Sequence, residues 1–292
     1  MSIIDTPFNT RSSIQCLLSA GVRTVIRYYN FSNSSRLPQK RLELAEAQIL
    51  AASGIQIGVV FQQRQDRAAD FDKAKGFSAG REAYRYAQNS IGQPAGSAIY
   101  FGVDFDATNA VIAANIVPFF EGVKDAFAQE SGGQPSYKVG AYGSGLTCGT
   151  LTQNNLIEFV WLAMSRGFQG TQAALAAGAF HLAQRFPDTK LCGLGVDFND
   201  ANPSRPDFGA FTLDVEVQPP FPETGVGDRY RVTARHGLRL REGPGTQFDI
   251  VGVLRPGQIV FVVSIADQWA RVDIEGDSQV DGFASAGLLE KL

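Results

Sequence analysis

The chain is short of the residues from which metal centres and covalent nucleophile sites are usually built. Only two histidines, His181 and His236, occur in 292 residues, and they fall in different predicted domains. A Ser-His-Asp or Cys-His site therefore has few parts available, and a His-rich zinc site is not expected. The three cysteines, Cys16, Cys148 and Cys192, show neither a CxxC nor a finger spacing. They read as small buried apolar side chains. No apolar run approaches the roughly 18 residues that cross a bilayer, so no membrane span is expected. The opening Met1-Ser2-Ile3-Ile4-Asp5 has no charged segment followed by an apolar one, and no secretory leader is read from it. Neither sign of charge dominates: 26 Lys and Arg stand against 29 Asp and Glu, a net charge of −3. Such a chain lacks the positive field that nucleic-acid phosphates demand.

What is present is enough apolar material to fold. Hydrophobic residues make up 44% and charged residues 19%, a globular rather than a disordered balance. The composition shifts at 215–228, VEVQPPFPETGVGD, where prolines and glycines deny the backbone regular hydrogen bonding. This predicts a linker between a domain over 1–214 and a smaller one over 229–292. In the first, short apolar runs at 2–5, 22–29, 55–61, 97–104, 137–142, 157–163, 179–185 and 191–198 alternate with helical patterns. Several runs are apolar throughout, as strands covered on both faces are. The clearest helix is expected over 38–53, with Leu42, Ala45, Ile49 and Ala52 as its stripe and Gly54 as its stop. Others are expected over 12–20, 78–90, 108–130 and 171–177. Eight strands with helical connections predict an α/β fold, a (β/α)8 TIM-like barrel, with an open doubly wound sheet as the alternative. The second domain has short β-branched and aromatic runs between dense turns, which predicts a small all-β barrel.

In a parallel barrel the working face is formed by strand C-termini. Here those ends carry Asp5, Tyr28, Gln62, Asp104 and Asp106, Tyr142, Trp161, Gln184, and Asp197 with Asn199. Core packing does not ask for so many acids and amides, because burying an unpaired carboxylate is costly. Asp104 and Asp106 lie two apart on an extended strand and so share a face, roughly 6–7 Å apart. Two close carboxylates divide into one protonated and one ionised group, the division that a glycosidase uses. Asp5 and Asp197 belong to the first and last strands, neighbours in a closed barrel, and are expected to support that pair. Tyr28, Gln62, Tyr142, Trp161, Gln184 and Asn199 are the expected sugar-binding residues. The competing role for Asp104 or Asp106 is to cap the helix that follows. The charge-rich stretch 64–75, RQDRAADFDKAK, reads as a solvated loop or helix face, or as a lip over the site.

The motifs IYFGVDFDAT (99–108), IDTPF near the start, KVGAYGSG (138–145), HLAQRF (181–186) and GVDFNDA (195–201) resemble the glycoside-hydrolase-like barrels of the DUF1906 or Rv2525c-like family. These are relatives of the family 25 lysozymes, which cleave peptidoglycan. In those lysozymes the fourth strand carries Asp-x-Glu. The resemblance implies that Asp104 matches that Asp, that Asp106 takes the position of the catalytic Glu, and that Asp5 and Asp197 match the acids of the first and last strands. Aspartate is one methylene shorter than glutamate, which sets its carboxyl back by about 1 Å, and a displacement of that size can cost on the order of a hundredfold in rate. The segment 237–245, GLRLREGPG, and the turn 253–257, with Trp269 and 282–284, resemble a bacterial SH3 (SH3b) domain.

The resemblance implies a glycosidase acting on peptidoglycan or a related wall polysaccharide, with no cofactor and no metal. The SH3b module implies targeting to the wall, with a wall peptide as a further partner. Such a partner places the work outside the cytoplasm. The alternatives are a glycan-binding barrel that no longer cuts, and a Mg²⁺-dependent phosphatase of the D-x-D-x-T kind. The latter would use Asp104 to Thr108, with Asp197 and Asp200 as later metal acids.

Overall fold

The computed structural model describes residues 2–134, 136–214, 227–276 and 279–292. The chain divides into two compact units, 1–215 and 216–292. The expected linker over 215–228 lies, apart from its last two residues, outside the described residues.

The first unit begins β1 (Ser2–Asp5), α1 (Ile14–Ser19), β2 (Val22–Tyr29), α2 (Leu44–Ala52), β3 (Gln56–Phe61), α3 (Lys73–Arg85) and β4 (Ala98–Gly102). It continues α4 (Asn109–Val111), α5 (Val117–Ser131), β5 (Lys138–Gly143), α6 (Gly145–Gln153), β6 (Phe159–Leu162), α7 (Thr171–Ala176), β7 (Leu182–Gln184), β8 (Thr189–Leu191) and β9 (Leu194–Ala201). The sheet order is β1-β2-β3-β4-β5-β6-β7-β9-β8, and pairing of β1 with β9 closes an eight-stranded barrel to which β8 is an appendage. Alternate residues point in and out, as the period of two requires. Ile3, Ile26, Val60, Tyr100, Trp161 and Leu182 fill the barrel. Ile4, Val25, Phe61, Phe101 and Val139 face the helices. Because both faces are covered, strands such as β4 are buried along their whole length.

The end of the barrel opposite the strand C-termini is closed by chain that follows β9. Phe211 exchanges backbone hydrogen bonds of 2.7 and 2.8 Å with Ile57, and the Tyr100 hydroxyl donates to the Phe208 carbonyl at 2.8 Å. Gly209 lies at φ +74, and a Cβ there would sit 2.2 Å from that of Ala98. Glycine is required for this close approach. The helices α3 and α5 likewise meet through glycine: a Cβ on Gly76 would lie 1.9 Å from the Phe119 carbonyl oxygen.

Three expectations need correction. The last barrel strand runs antiparallel to both neighbours, Asp5 pairing with Asp197 and Gln184 with Asn199. A parallel return needs a crossover of a dozen or more residues, and the stretch between Gln184 and Leu194 is too short and is partly taken by β8. The helix expected over 38–53 begins only at Leu44, and its buried stripe runs through Glu46, Ala47, Leu50 and Ala51. The preceding backbone is otherwise engaged: Leu42 donates to the Tyr28 carbonyl at 2.9 Å, and the Arg27 guanidinium takes the carbonyls of Gln39 and Lys40. Thirdly, two of the cysteines are not packing residues. Cys16 of α1 and Cys192, in the turn between β8 and β9, form a disulfide across 176 residues of sequence. Only Cys148 remains a buried thiol, pushed up to about 12 by burial. Among the described residues no helix is long and apolar enough to cross a membrane.

The second unit holds β10 (Asp228–Val232), β11 (Leu238–Arg241), β12 (Ile250–Leu254), β13 (Ile259–Ala266), β14 (Trp269–Asp273), β15 (Gly282–Ser285) and β16 (Leu289–Lys291). They form one sheet in the order β12-β11-β15-β14-β13-β10-β16, all pairings antiparallel. Val232, Leu238, Leu240, Leu254, Val260, Val262, Ala270, Val272 and Ala284 make its core. Trp269 and Phe283 are half-buried and stand outside that cluster.

Candidate active site

The strand C-termini of the barrel open into a cleft of about 230 Å³ lined by Tyr28, Val60, Gln62, Asp104, Tyr142, Trp161, Met164, Gln184 and Asp197. Its base is a polar network hung on β1, β7 and β9. Asp5 is buried, and its carboxylate accepts from Asn199 Nδ2 at 2.8 Å, from Gln184 Nε2 at 3.1 Å and from the Tyr28 hydroxyl at 3.4 Å. Gln184 Nε2 also donates to Asp197 Oδ2 at 3.0 Å, so one amide bridges two acids that face each other across the barrel seam. Tyr142 fixes the orientation of that amide by donating to Gln184 Oε1 at 2.8 Å. Trp161 Nε1 donates to Asn199 Oδ1 at 2.7 Å, so the Asn199 amide presents its NH₂ to Asp5.

Burial and like charge hold protons on this network. Burial raises Asp5 to about 7, and the neighbouring Asp197 adds to the rise against the opposing hydrogen bonds. Asp197 is raised to about 6, first by burial and then by Asp188 and Asp104. Its Oδ1 is buried and has no hydrogen-bond partner. An acceptor atom stranded at the edge of a cleft is costly unless a ligand or a proton meets it. Two carboxylates paired directly across strands repel, which adds to burial in favouring a proton on Asp5 near neutral pH.

The two acids of the fourth strand's end part company. Asp104 is exposed, lines the cleft and accepts from Gln62 Nε2 at 3.2 Å. Asp106 is not among the cleft-lining residues; its Oδ1 accepts from the backbone N–H of Gln169, in the loop after β6, at 2.9 Å. It does not cap the following helix either, because that position belongs to Thr108, whose hydroxyl accepts from the Val111 N–H. Tyr28, Gln62, Tyr142, Trp161 and Gln184 line the cleft, whereas Asn199 lies beneath it and holds Asp5. Trp161 is almost wholly buried and packs edge-on against Tyr142 at 4.8 Å, so it forms floor rather than rim.

The charge-rich stretch 64–75 borders a larger groove of about 500 Å³ beside the mouth, with Phe31, Arg64, Gln65, Asp72 and Lys75 on its walls. Within it Lys75 pairs with Asp72 and Arg67 with Asp70, while Lys73 reaches Asp125 of α5. Among the described residues no three His, Cys, Asp or Glu side chains gather as metal ligands. Asp200, which the phosphatase alternative needs, instead pairs with Arg185 at 3.5 Å. Sequence reasoning missed Val60, Met164 and the buried Arg27–Glu46 ion pair, whose closest N···O distance is 2.8 Å.

Fold and site together define a glycoside-hydrolase-like barrel joined to a bacterial SH3 unit. Residues 15–201 match the Rv2525c-like, glycoside hydrolase-like domain, and residues 236–290 match the bacterial SH3 domain. The chain belongs to the Rv2525c-like, glycoside hydrolase-like family. It is 33% identical over 168 residues to the uncharacterized Bacillus subtilis protein YbfG, covering 55% of this chain and 22% of that one. The B. subtilis protein FadG is 28% identical over 162 residues, 55% of this chain and 27% of the relative. The chain thus spans only about a quarter of these relatives. The Mycobacterium tuberculosis Tat-secreted protein Rv2525c, crystallised with L-tartrate, superposes with a TM-score of 0.60 at 22% identity, covering 72% of this chain and 98% of that one.

Proposed function

We propose that the chain is a glycosidase of bacterial cell-wall polysaccharide, peptidoglycan foremost, whose SH3 unit holds it to the wall. The observation that carries this reading is the meeting of an exposed carboxylate, Asp104, with the proton-retaining Asp5–Asp197 pair in one aromatic-floored cleft. The cleft is smaller than the roughly 300–1,000 Å³ of drug-sized pockets, in keeping with one sugar ring inside and the polymer running across the mouth. Asp197 gives its proton to the leaving glycosidic oxygen, and Asp104 supports the positive charge that develops on the sugar carbon. Water adds to that carbon, the proton it gives up restores Asp197, and Gln184 holds Asp197 beside Asp5 by bridging the two. The proton-donor role that the family resemblance implies for Asp106 passes to Asp197, because Asp106 is tied to the Gln169 N–H outside the cleft lining. The disulfide suits an oxidising compartment, and the Tat-secreted relative supports a site of action outside the cytoplasm.

The test is release of reducing ends from purified peptidoglycan by the full chain and by Asp104→Asn, Asp197→Asn and Asp106→Asn. The first two are expected to lose activity and the third to keep most of it. Loss confined to Asp106→Asn would return the proton-donor role to Asp106. A second reading, a wall-glycan binder that does not cut, is favoured by the same engagement of Asp106 with the Gln169 N–H. Retention of the glycan without release of ends in any variant would establish that second reading.

A further inference from the structure

One cation at the mouth has no part in that chemistry. Lys40 rises from the loop between β2 and α2, its Nζ donating to the Gln62 carbonyl at 2.8 Å and lying 4.6 Å from the Tyr28 ring centroid. Gln62 and Tyr28 both line the cleft. Among the described residues no carboxylate lies within ion-pair distance of Lys40; Asp104 acts on it only from further off. Burial lowers the ammonium to about 8, the mark of a charge stripped of water and not yet repaid by a counter-ion.

The backbone under Lys40 is held firmly. Arg27 Nη1 donates to the Lys40 carbonyl at 3.1 Å and Nη2 to that of Gln39 at 2.9 Å. That guanidinium is itself buried and fixed by Glu46, which also takes the N–H and hydroxyl of Thr10 at 2.8 Å. A buried ion pair is poor evidence of stability, but here it sets a loop. Its consequence is that an ammonium without an acidic partner stands at the lip on the Tyr28 side.

We propose that Lys40 is a specificity-determining residue that binds the carboxylate of an acidic sugar seated beside Asp104. This rests on the glycosidase reading and names its substrate more narrowly. In wall glycan the group that fits is the free lactyl carboxylate of a muramyl residue. In intact peptidoglycan that carbon is in amide linkage to the stem peptide and carries no charge. The reaction that must supply this substrate is therefore an amidase-type hydrolysis that strips the peptide first. A uronic-acid polymer offers the same group from a second source.

The test is calorimetric titration of the full chain with four tetrasaccharides: alternating N-acetylglucosamine and N-acetylmuramic acid with free lactyl groups, the same strand with stem peptides, chitotetraose, and tetragalacturonate. The peptide-free strand is expected to bind about ten- to a hundredfold more tightly than chitotetraose, the span for a charged hydrogen bond. Lys40→Met is expected to collapse that ratio towards one, and Lys40→Arg to keep most of it. Tighter binding of tetragalacturonate than of the muramyl strand supports carboxylate recognition with a uronic polymer as its source. Equal affinity for the peptide-bearing and peptide-free strands, or an undiminished ratio in Lys40→Met, overturns the role of Lys40 and leaves the glycosidase reading standing. Failure of the wild-type chain to bind any of the four overturns both.

Discussion

The two units bury different things. The barrel sinks Asp5, Arg27, Glu46 and Asn199 into its interior and connects them by hydrogen bonds. The SH3 unit has an aliphatic core of nine residues, and its buried acid, Asp273, accepts the N–H groups of Glu275 and Gly276 in a turn. It leaves its apolar surplus outside, with Ile250, Val251 and Val253 of β12 exposed. A core of aliphatic side chains asks only for volume and pattern. A buried polar network also demands a partner for each group, and that cost is retained where chemistry needs it. The proposed function follows this contrast, with the chemistry assigned to the first unit and wall retention to the second.

Breaking the barrel's network tests this contrast most severely. Asp104→Asn is expected to lower release of reducing ends at least a hundredfold while retention on wall sacculi, assigned to the SH3 unit, persists in a co-sedimentation assay. Loss of both together would dissolve the division of labour. Next in size is the disulfide. Replacing Cys16 and Cys192 with serine is expected to destabilise the barrel by about 2–4 kcal/mol, the usual worth of such a bridge, in a calorimetric scan where the SH3 transition stays put.

A gentler probe is pH. Asp5 and Asp197 are raised from 3.8 to about 7 and about 6, so the folded barrel holds their protons more tightly than the unfolded chain does. Their contribution to stability is complete below about pH 4 and is lost as pH climbs through 6 and 7. Between pH 5 and 8 the urea midpoint of the barrel is expected to fall, and Asp197→Asn to flatten the slope. A midpoint that rises over that window contradicts the buried pair. The smallest effect is expected at Val253→Ser: that side chain is 61% exposed, and its loss should change SH3 stability by no more than about 0.5 kcal/mol in a denaturant titration.

Much of the barrel was legible because strands covered on both faces leave unbroken apolar runs, as at 97–104, and because polar residues recur at one end of them. Asp5, Gln184 and Asp197 could be placed at a common mouth from that regularity alone. The direction of β9 could not, since an apolar run has no arrow; only the short connection from Gln184 to Leu194 carried that information. The disulfide was hidden by its 176-residue span, which no spacing rule reads. The tie of Asp106 to the backbone N–H of Gln169 comes from a distant loop, and extended geometry at Asp104 to Asp106 gave no hint of it. The role of Arg27 was equally silent, because three of its partners are backbone carbonyls, which every residue possesses, and the fourth, Glu46, lies on another element.

The seam between β1 and β9 has a temporal meaning. The first acid of the pair leaves the ribosome some 190 residues ahead of the second, so neither finds the other until the last strand docks. A nascent or truncated chain therefore carries no assembled proton store. On the proposed function, activity waits for the ring to shut.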